Sequence, residues 1–258
     1  MSGQFQGKVV VVTGGSRGIG RGIAKAFAEQ GAQTVLLASN AANLDAAADS
    51  IAGTGAPRPA VFAADLRLES GCNDAFAFVR QRFGCCDILV NSAGATQRGD
   101  FLEQSDAVWQ DGFALKFFAC VRLCRLFWPM LTAAHGRVIN ISGGASRTPD
   151  EQFLIGGSVN SAMNNFSKGL SVRAKHEGVN VNTIVPGLTD TDRFRDRILA
   201  RGGSVEVETA KALKANRIPR LGLPEDTAAL AIFLCSDAAR HIQGTVIAVD
   251  GGQCSGLF

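Results

Sequence analysis

Two sets of residues have the types and spacing to do chemistry. Gly14, Gly18 and Gly20 follow directly on an apolar β-branched run at residues 9–12, and Ile23, Ala24, Phe27 and Ala28 then recur at helical spacing. A buried strand, a glycine turn and a helix aim backbone N–H groups and a helix N-terminus at a phosphate. Glycine is required where a Cβ would block the turn or hold a pyrophosphate off the backbone. Ser16, Arg17 and Ile19 stand in the same loop. The second set centres on Lys116, which shares a helical stripe with Trp109, Phe113 and Cys120. That stripe points the lysine inward, where an apolar site lowers its pKa toward the range of a general acid or base at neutral pH. A lysine that snorkels to solvent or to a subunit interface is the competing reading.

The remaining reactive residue types point nowhere in particular. Seven cysteines, Cys72, Cys85, Cys86, Cys120, Cys124, Cys235 and Cys254, show no metal-ligand spacing backed by histidines. They read as small buried hydrophobes in a reducing compartment, and no metal is expected. His135, His176 and His241 lie at predicted helix ends and read as surface residues.

The positioning elements follow from periodicity. Strands are expected at residues 9–12, 32–38, 59–63, 87–90, 136–142, 179–185 and 245–249, with helices between them at 44–51, 72–83, 105–133, 154–176 and 225–234. Alternation at this pace implies right-handed crossovers and a parallel sheet. Residues 112–131 carry only Lys116, Arg122 and Arg125 as charges, so that helix needs cover on two sides. Residues 154–176 are rich in small side chains and also read as a packing surface. The polar, glycine-containing stretch at 189–218 reads as a mobile, partly helical lid; it holds Phe194, Ile198 and Leu199 but no group that names a substrate.

At 258 residues, 46% hydrophobic and 19% charged, the chain suits one α/β domain spanning 1–258. A net charge of +3 without a basic run argues against a nucleic-acid partner. No apolar stretch approaches the ~18 residues of a membrane span, and no hydrophobic signal region opens the chain. A cytoplasmic protein with no membrane partner is expected.

In order along the chain, Thr13-Gly14-Gly15-Ser16-Arg17-Gly18-Ile19-Gly20, Asp65-Leu66, Asn91-Ser92-Ala93-Gly94, Pro186-Gly187 with Thr191, and Val249-Asp250-Gly251-Gly252 resemble the landmarks of the short-chain dehydrogenase/reductase family. The resemblance covers essentially the whole chain. It implies a Rossmann-like, doubly wound parallel sheet of seven strands with helices on both faces. It also implies that Asp65 and Leu66 border an adenine, that Asn91, Ala93 and Gly94 line the cofactor with Pro186 and Gly187, and that Thr189 and Thr191 meet a nicotinamide carboxamide. NAD is usually selected by a carboxylate at the end of the second strand. Here that place reads Ala38-Ser39-Asn40, with Ser39 and Asn40 as expected cofactor contacts, while Arg17 is positioned for a 2′-phosphate, so NADP is favoured over NAD. A solvated Arg17 is the alternative.

The chain departs from the family where its chemistry is done. It contains no tyrosine, and the family's Ser, Tyr, Lys and helix-borne Asn fall on Gly143, Gly156, Asn160 and Lys116. Lysine and asparagine have in effect changed places. The expected function is an NADP-dependent oxidoreductase for a small carbonyl or alcohol. Lys116 is then a non-standard proton donor beside a cationic nicotinamide, with Asn160 and Ser142 as its companions. A catalytically inactive nucleotide-binding homologue, regulatory or structural, is the alternative, with Gly143 and Gly156 leaving an empty pocket. The resemblance implies a homo-oligomer, a tetramer or dimer, using the helices at 105–133 and 154–176.

Overall fold

The β-branched run at the start of the chain forms β1 (Val9–Thr13), and every one of its residues is buried. Its two faces feed two separate cores, as a continuous apolar strand of a covered parallel sheet must. Val10 and Val12 pack with Ile23 and Phe27 on one side, and Val9 and Val11 pack with Cys72, Leu123 and Phe127 on the other. The computed structural model describes residues 3–254.

The elements alternate along the chain. After β1 come α1 (Gly18–Glu29), β2 (Gln33–Ala38), α2 (Ala41–Ala52), β3 (Ala60–Ala63), α3 (Glu69–Phe83) and β4 (Ile88–Asn91). They continue through α4 (Asp106–Phe113), α5 (Ala119–Ala133), β5 (Arg137–Ile141), α6 (Leu154–Ala174) and β6 (Asn180–Pro186). The last are α7 (Asp192–Leu199), α8 (Val205–Asn216), α9 (Pro224–Cys235) and β7 (Val246–Val249). The sheet has seven strands in the order β3-β2-β1-β4-β5-β6-β7, and all pairs are parallel. The chain reverses its direction of growth between β1 and β4, so a crevice opens at the carboxyl ends of those two strands.

Most expected elements are present within two or three residues of their expected bounds. The helix expected over 105–133 is a correction, for it is three pieces. A π turn at Ala114–Phe118 separates α4 from α5, with the Ala119 N–H donating to the Ala114 carbonyl five residues back. Such a turn inserts one residue into the helical register and re-aims the side chains around it. Lys116 is its central residue. The stretch expected as a partly helical lid holds two capped helices. The Thr191 hydroxyl accepts from the Phe194 N–H to start α7, and the Ser204 hydroxyl accepts from the Val207 N–H to start α8.

The sheet's crevice and α1 are joined by contacts too close for side chains. A Cβ on Gly20 would lie 2.3 Å from the Gly14 carbonyl oxygen, and Gly14 itself has φ +66°. Gly20→Ala should therefore lower the unfolding free energy by roughly 2 kcal/mol in urea titration. An overpacking cost of up to ~3 kcal/mol outweighs the ~1 kcal/mol gain in helix propensity.

Candidate active site

The crevice at the β1/β4 switch point holds a cavity of about 470 Å³. Gly14, Ser16, Arg17, Gly18, Ile19 and Gly20 form its floor at the N-terminus of α1. Ser39, Asp65, Leu66, Ala93 and Gly94 line one end, and Pro186, Gly187, Thr189 and Thr191 line the other. Thr13 ties the two strands together: its hydroxyl accepts from the N–H groups of Ser92 and Ala93 at 3.0 and 2.9 Å. A Cβ on Gly14 would come within 3.0 Å of Ala93, so the loops meet only because residue 14 has none. A glycine floor with a helix N-terminus fits the diphosphate of a dinucleotide, and Arg17 stands beside it.

Two expected cofactor residues lie elsewhere. Asn91 is buried below the cavity, where its amide donates to Asn140 at 2.8 Å and to the Cys124 sulfur. Asn140 in turn donates to the Ser167 hydroxyl at 2.8 Å, so Asn91 braces β4 against β5 and α6. Asn40 turns away as well, because its side-chain oxygen accepts the Asn43 N–H at 2.8 Å and caps α2. The end of β2 is left without a carboxylate at the cavity, and among the described residues Arg17 forms an ion pair only with Asp196, at 3.7 Å and half exposed.

Lys116, Ser142 and Asn160 come together where this cavity opens into a second one of about 840 Å³. The Lys116 ammonium donates to the Ser142 carbonyl at 3.0 Å. Ser142 is nearly buried, and its hydroxyl donates to the Asn160 carbonyl at 3.3 Å. The lysine stem crosses Gly94, where a Cβ would lie 2.8 Å from its Cδ. Burial, and next the positive charge of Arg193, lower the Lys116 pKa to about 8. The Asn160 side-chain oxygen is buried and has no hydrogen-bond partner.

The space at Gly143 and Gly156 is filled, which corrects the expectation of an empty pocket. A Cβ on Gly143 would lie 2.8 Å from Asn160 Nδ2, so the amide occupies that volume. A Cβ on Gly156 would lie 2.1 Å from Phe153 Cζ, because the Phe153 ring covers the glycine. Arg98 stacks on that ring at 4.7 Å and pairs with Asp150. Phe153 was not singled out in the sequence, although its place three residues before Gly156 was visible.

The thiols and imidazoles contribute nothing to either cavity except Cys254, at the edge of the second. Five of the seven cysteines are buried, and the three histidines are exposed. Among the described residues no three His, Cys, Asp or Glu side chains are placed to hold a metal ion, and no helix is long and apolar enough to cross a membrane.

Known proteins place this geometry. The family model for enoyl-(acyl carrier protein) reductases matches residues 14–253. A 3-oxoacyl-[acyl-carrier-protein] reductase FabG of Chlamydia trachomatis is 31% identical over 256 residues, covering 98% of this chain and all of that one. The L-sorbose reductase of Gluconobacter frateurii, solved with NADPH and L-sorbose, is 32% identical with a TM-score of 0.93 over the full length of both chains. An NADPH-bound short chain oxidoreductase of Pseudomonas aeruginosa PAO1 with an atypical catalytic center superposes with a TM-score of 0.89 at 27% identity, covering 98% of this chain and 99% of that one. The switch-point cavity, the glycine floor and these full-length matches together make the chain a member of the short-chain dehydrogenase/reductase family.

Proposed function

We propose that this protein is an NADP(H)-dependent oxidoreductase that interconverts a small carbonyl compound and its alcohol, with Lys116 giving and taking the proton. The observation that carries this reading is the Lys116 ammonium in the cavity wall, held at 3.0 Å by the Ser142 carbonyl with its pKa lowered to about 8. The NADPH in the sorbose reductase and Pseudomonas structures supports the cofactor, as does Arg17 facing a β2 end without an acid. NAD is the alternative carrier. The chain acts as one dinucleotide-binding domain, 1–258, whose segment 189–218 closes over the substrate. The seven free thiols suit a reducing, cytoplasmic setting. The half-exposed Phe118 at the end of the π turn and exposed Val172 on α6 suit a homo-oligomer built on these helices.

Bound NADPH supplies the hydride. Gly14, Gly18 and Gly20 seat the phosphates, Asp65 and Leu66 border the adenine, and Thr189 and Thr191 fix the carboxamide. The Lys116 ammonium uses one proton on the Ser142 carbonyl and turns another toward the substrate oxygen, directly or through a water held by Asn160 Oδ1. As negative charge develops on that oxygen, the proton moves to it from Nζ, leaving a neutral amine that solvent reprotonates. Ser142 positions the lysine through its carbonyl. Arg193 keeps the site positive, which favours the developing oxyanion.

A second reading, a nucleotide-binding regulatory or structural subunit without turnover, has one observation in its favour. The Phe153 ring and the Asn160 amide fill positions 156 and 143, so neither offers a hydroxyl to substrate.

Two outcomes are expected. NADPH should bind more tightly than NADH by calorimetry, and Arg17→Ala should lose about 10- to 100-fold of NADPH affinity, the range of a charge-assisted bond, while sparing NADH. Equal wild-type affinities contradict this. Lys116→Met, which keeps length and packing, should lower carbonyl reduction by about 10²- to 10⁴-fold with unchanged NADPH affinity and melting temperature. Reduction needs the protonated amine, so its rate should fall above about pH 8, and alcohol oxidation, which needs the neutral amine, should rise toward about pH 8. Full activity in Lys116→Met refutes the proton role, and a wild type silent across carbonyls and alcohols favours the subunit reading.

A further inference from the structure

Arg193, Arg197 and Arg201 are spaced four apart along α7 and its C-terminal turn, and all three line the second cavity. Like charges at this spacing disfavour a helix. Nothing on the segment offsets the row, because its own acids face elsewhere: Asp190 pairs with Arg195, Asp192 with Arg21 and Asp196 with Arg17. Phe194 and Ile198 are buried and pin the helix, so the row is held toward the cavity.

The cavity wall does not neutralise these arginines either. Its Asp150 is taken by Arg98. Its Glu208 pairs with Lys211 at 2.7 Å, and its Asp250 accepts the N–H groups of Gly252 and Cys254, both at 3.0 Å. Burial, and next the positive charges of Arg98 and Arg201, lower the Arg197 pKa. Arg193 lines both cavities, with Arg17 and Arg197 as its charged neighbours. Arg197 lines the first cavity as well and Arg201 only the second, and no acid among the described residues pairs with either.

We propose that Arg197 and Arg201 form an anion subsite at the substrate end of the cavity, so that the preferred carbonyl substrate carries a carboxylate or a phosphate ester. The proposal rests on the oxidoreductase reading, whose Lys116 acts on the carbonyl while these arginines hold the charged end. Two guanidinium forks suit the planar or tetrahedral oxygens of such a group and reject its neutral ester or alcohol.

The test titrates NADPH-loaded protein by calorimetry with two matched pairs, acetoacetate against its methyl ester and dihydroxyacetone phosphate against dihydroxyacetone. At least one anion should bind tenfold or more tightly than its neutral partner. The pair that discriminates identifies carboxylate or phosphate as the source. Arg197→Ala/Arg201→Ala, titrated at saturating NADPH, should reduce that discrimination to under twofold, and Arg197→Lys/Arg201→Lys should retain part of it. Lys116→Met should keep the full discrimination, since binding needs no proton transfer, and this separates failure of the subsite from failure of the catalytic reading. Equal binding within both pairs, discrimination that survives the alanine variant, or no binding of any of the four overturns the proposal.

Discussion

A lysine ammonium drawn out of water loses solvation that a single carbonyl only partly restores, and the site is arranged around that deficit. Lys116 sits at the centre of the π turn at Ala114–Phe118 and reaches its place because Gly94 lets its stem pass. The Ser142 carbonyl accepts one of its protons, and Arg193 adds a second positive charge instead of a counter-ion. Burial, and next the Arg193 charge, hold the amine near the pH at which it can give and regain a proton. A carboxylate partner would have pushed the pKa the other way and made Lys116 a structural cation.

The same constraint explains what surrounds it. Asn160, a neutral amide, occupies the volume beside Gly143, and its side-chain oxygen is buried without a hydrogen-bond partner. A second lysine there would raise the positive charge further, and an acid would neutralise Lys116. The Phe153 ring over Gly156 gives the second cavity an apolar stretch of wall. Farther out, α7 bridges to the phosphate loop through Asp196–Arg17 and Asp192–Arg21, at 3.7 and 3.9 Å. Exposed pairs at such distances contribute little, so phosphate can displace them without much loss.

The sheet, its order and the glycine floor were legible in the sequence because β-branched runs, glycine turns and helical spacing are local signals. The inward aim of Lys116 was legible too, from its apolar stripe. The π turn was not, since Ala-Leu-Lys-Phe-Phe contains no glycine or proline to mark it. Asn91 and Asn40 read as cofactor contacts, but one is drawn into a buried amide chain with a partner 49 residues away and the other is spent on a helix cap. The row Arg193, Arg197 and Arg201 was written in the sequence at helical spacing, yet it carried meaning only once α7 was seen to face the cavity. The ring of Phe153 over Gly156 depends on the short helical turn at Glu151–Phe153, which spacing alone does not reveal.

The titration of Lys116 tests the account most directly. In protein carrying ¹³C-labelled lysine, the Lys116 ε-carbon resonance, assigned by its loss in Lys116→Met, should titrate with a midpoint near pH 8 in the free enzyme and lower with the oxidised, cationic cofactor bound. A midpoint at the ordinary lysine value of about 10.4, unmoved by cofactor, would show a solvated ammonium and contradict the proton role assigned to it.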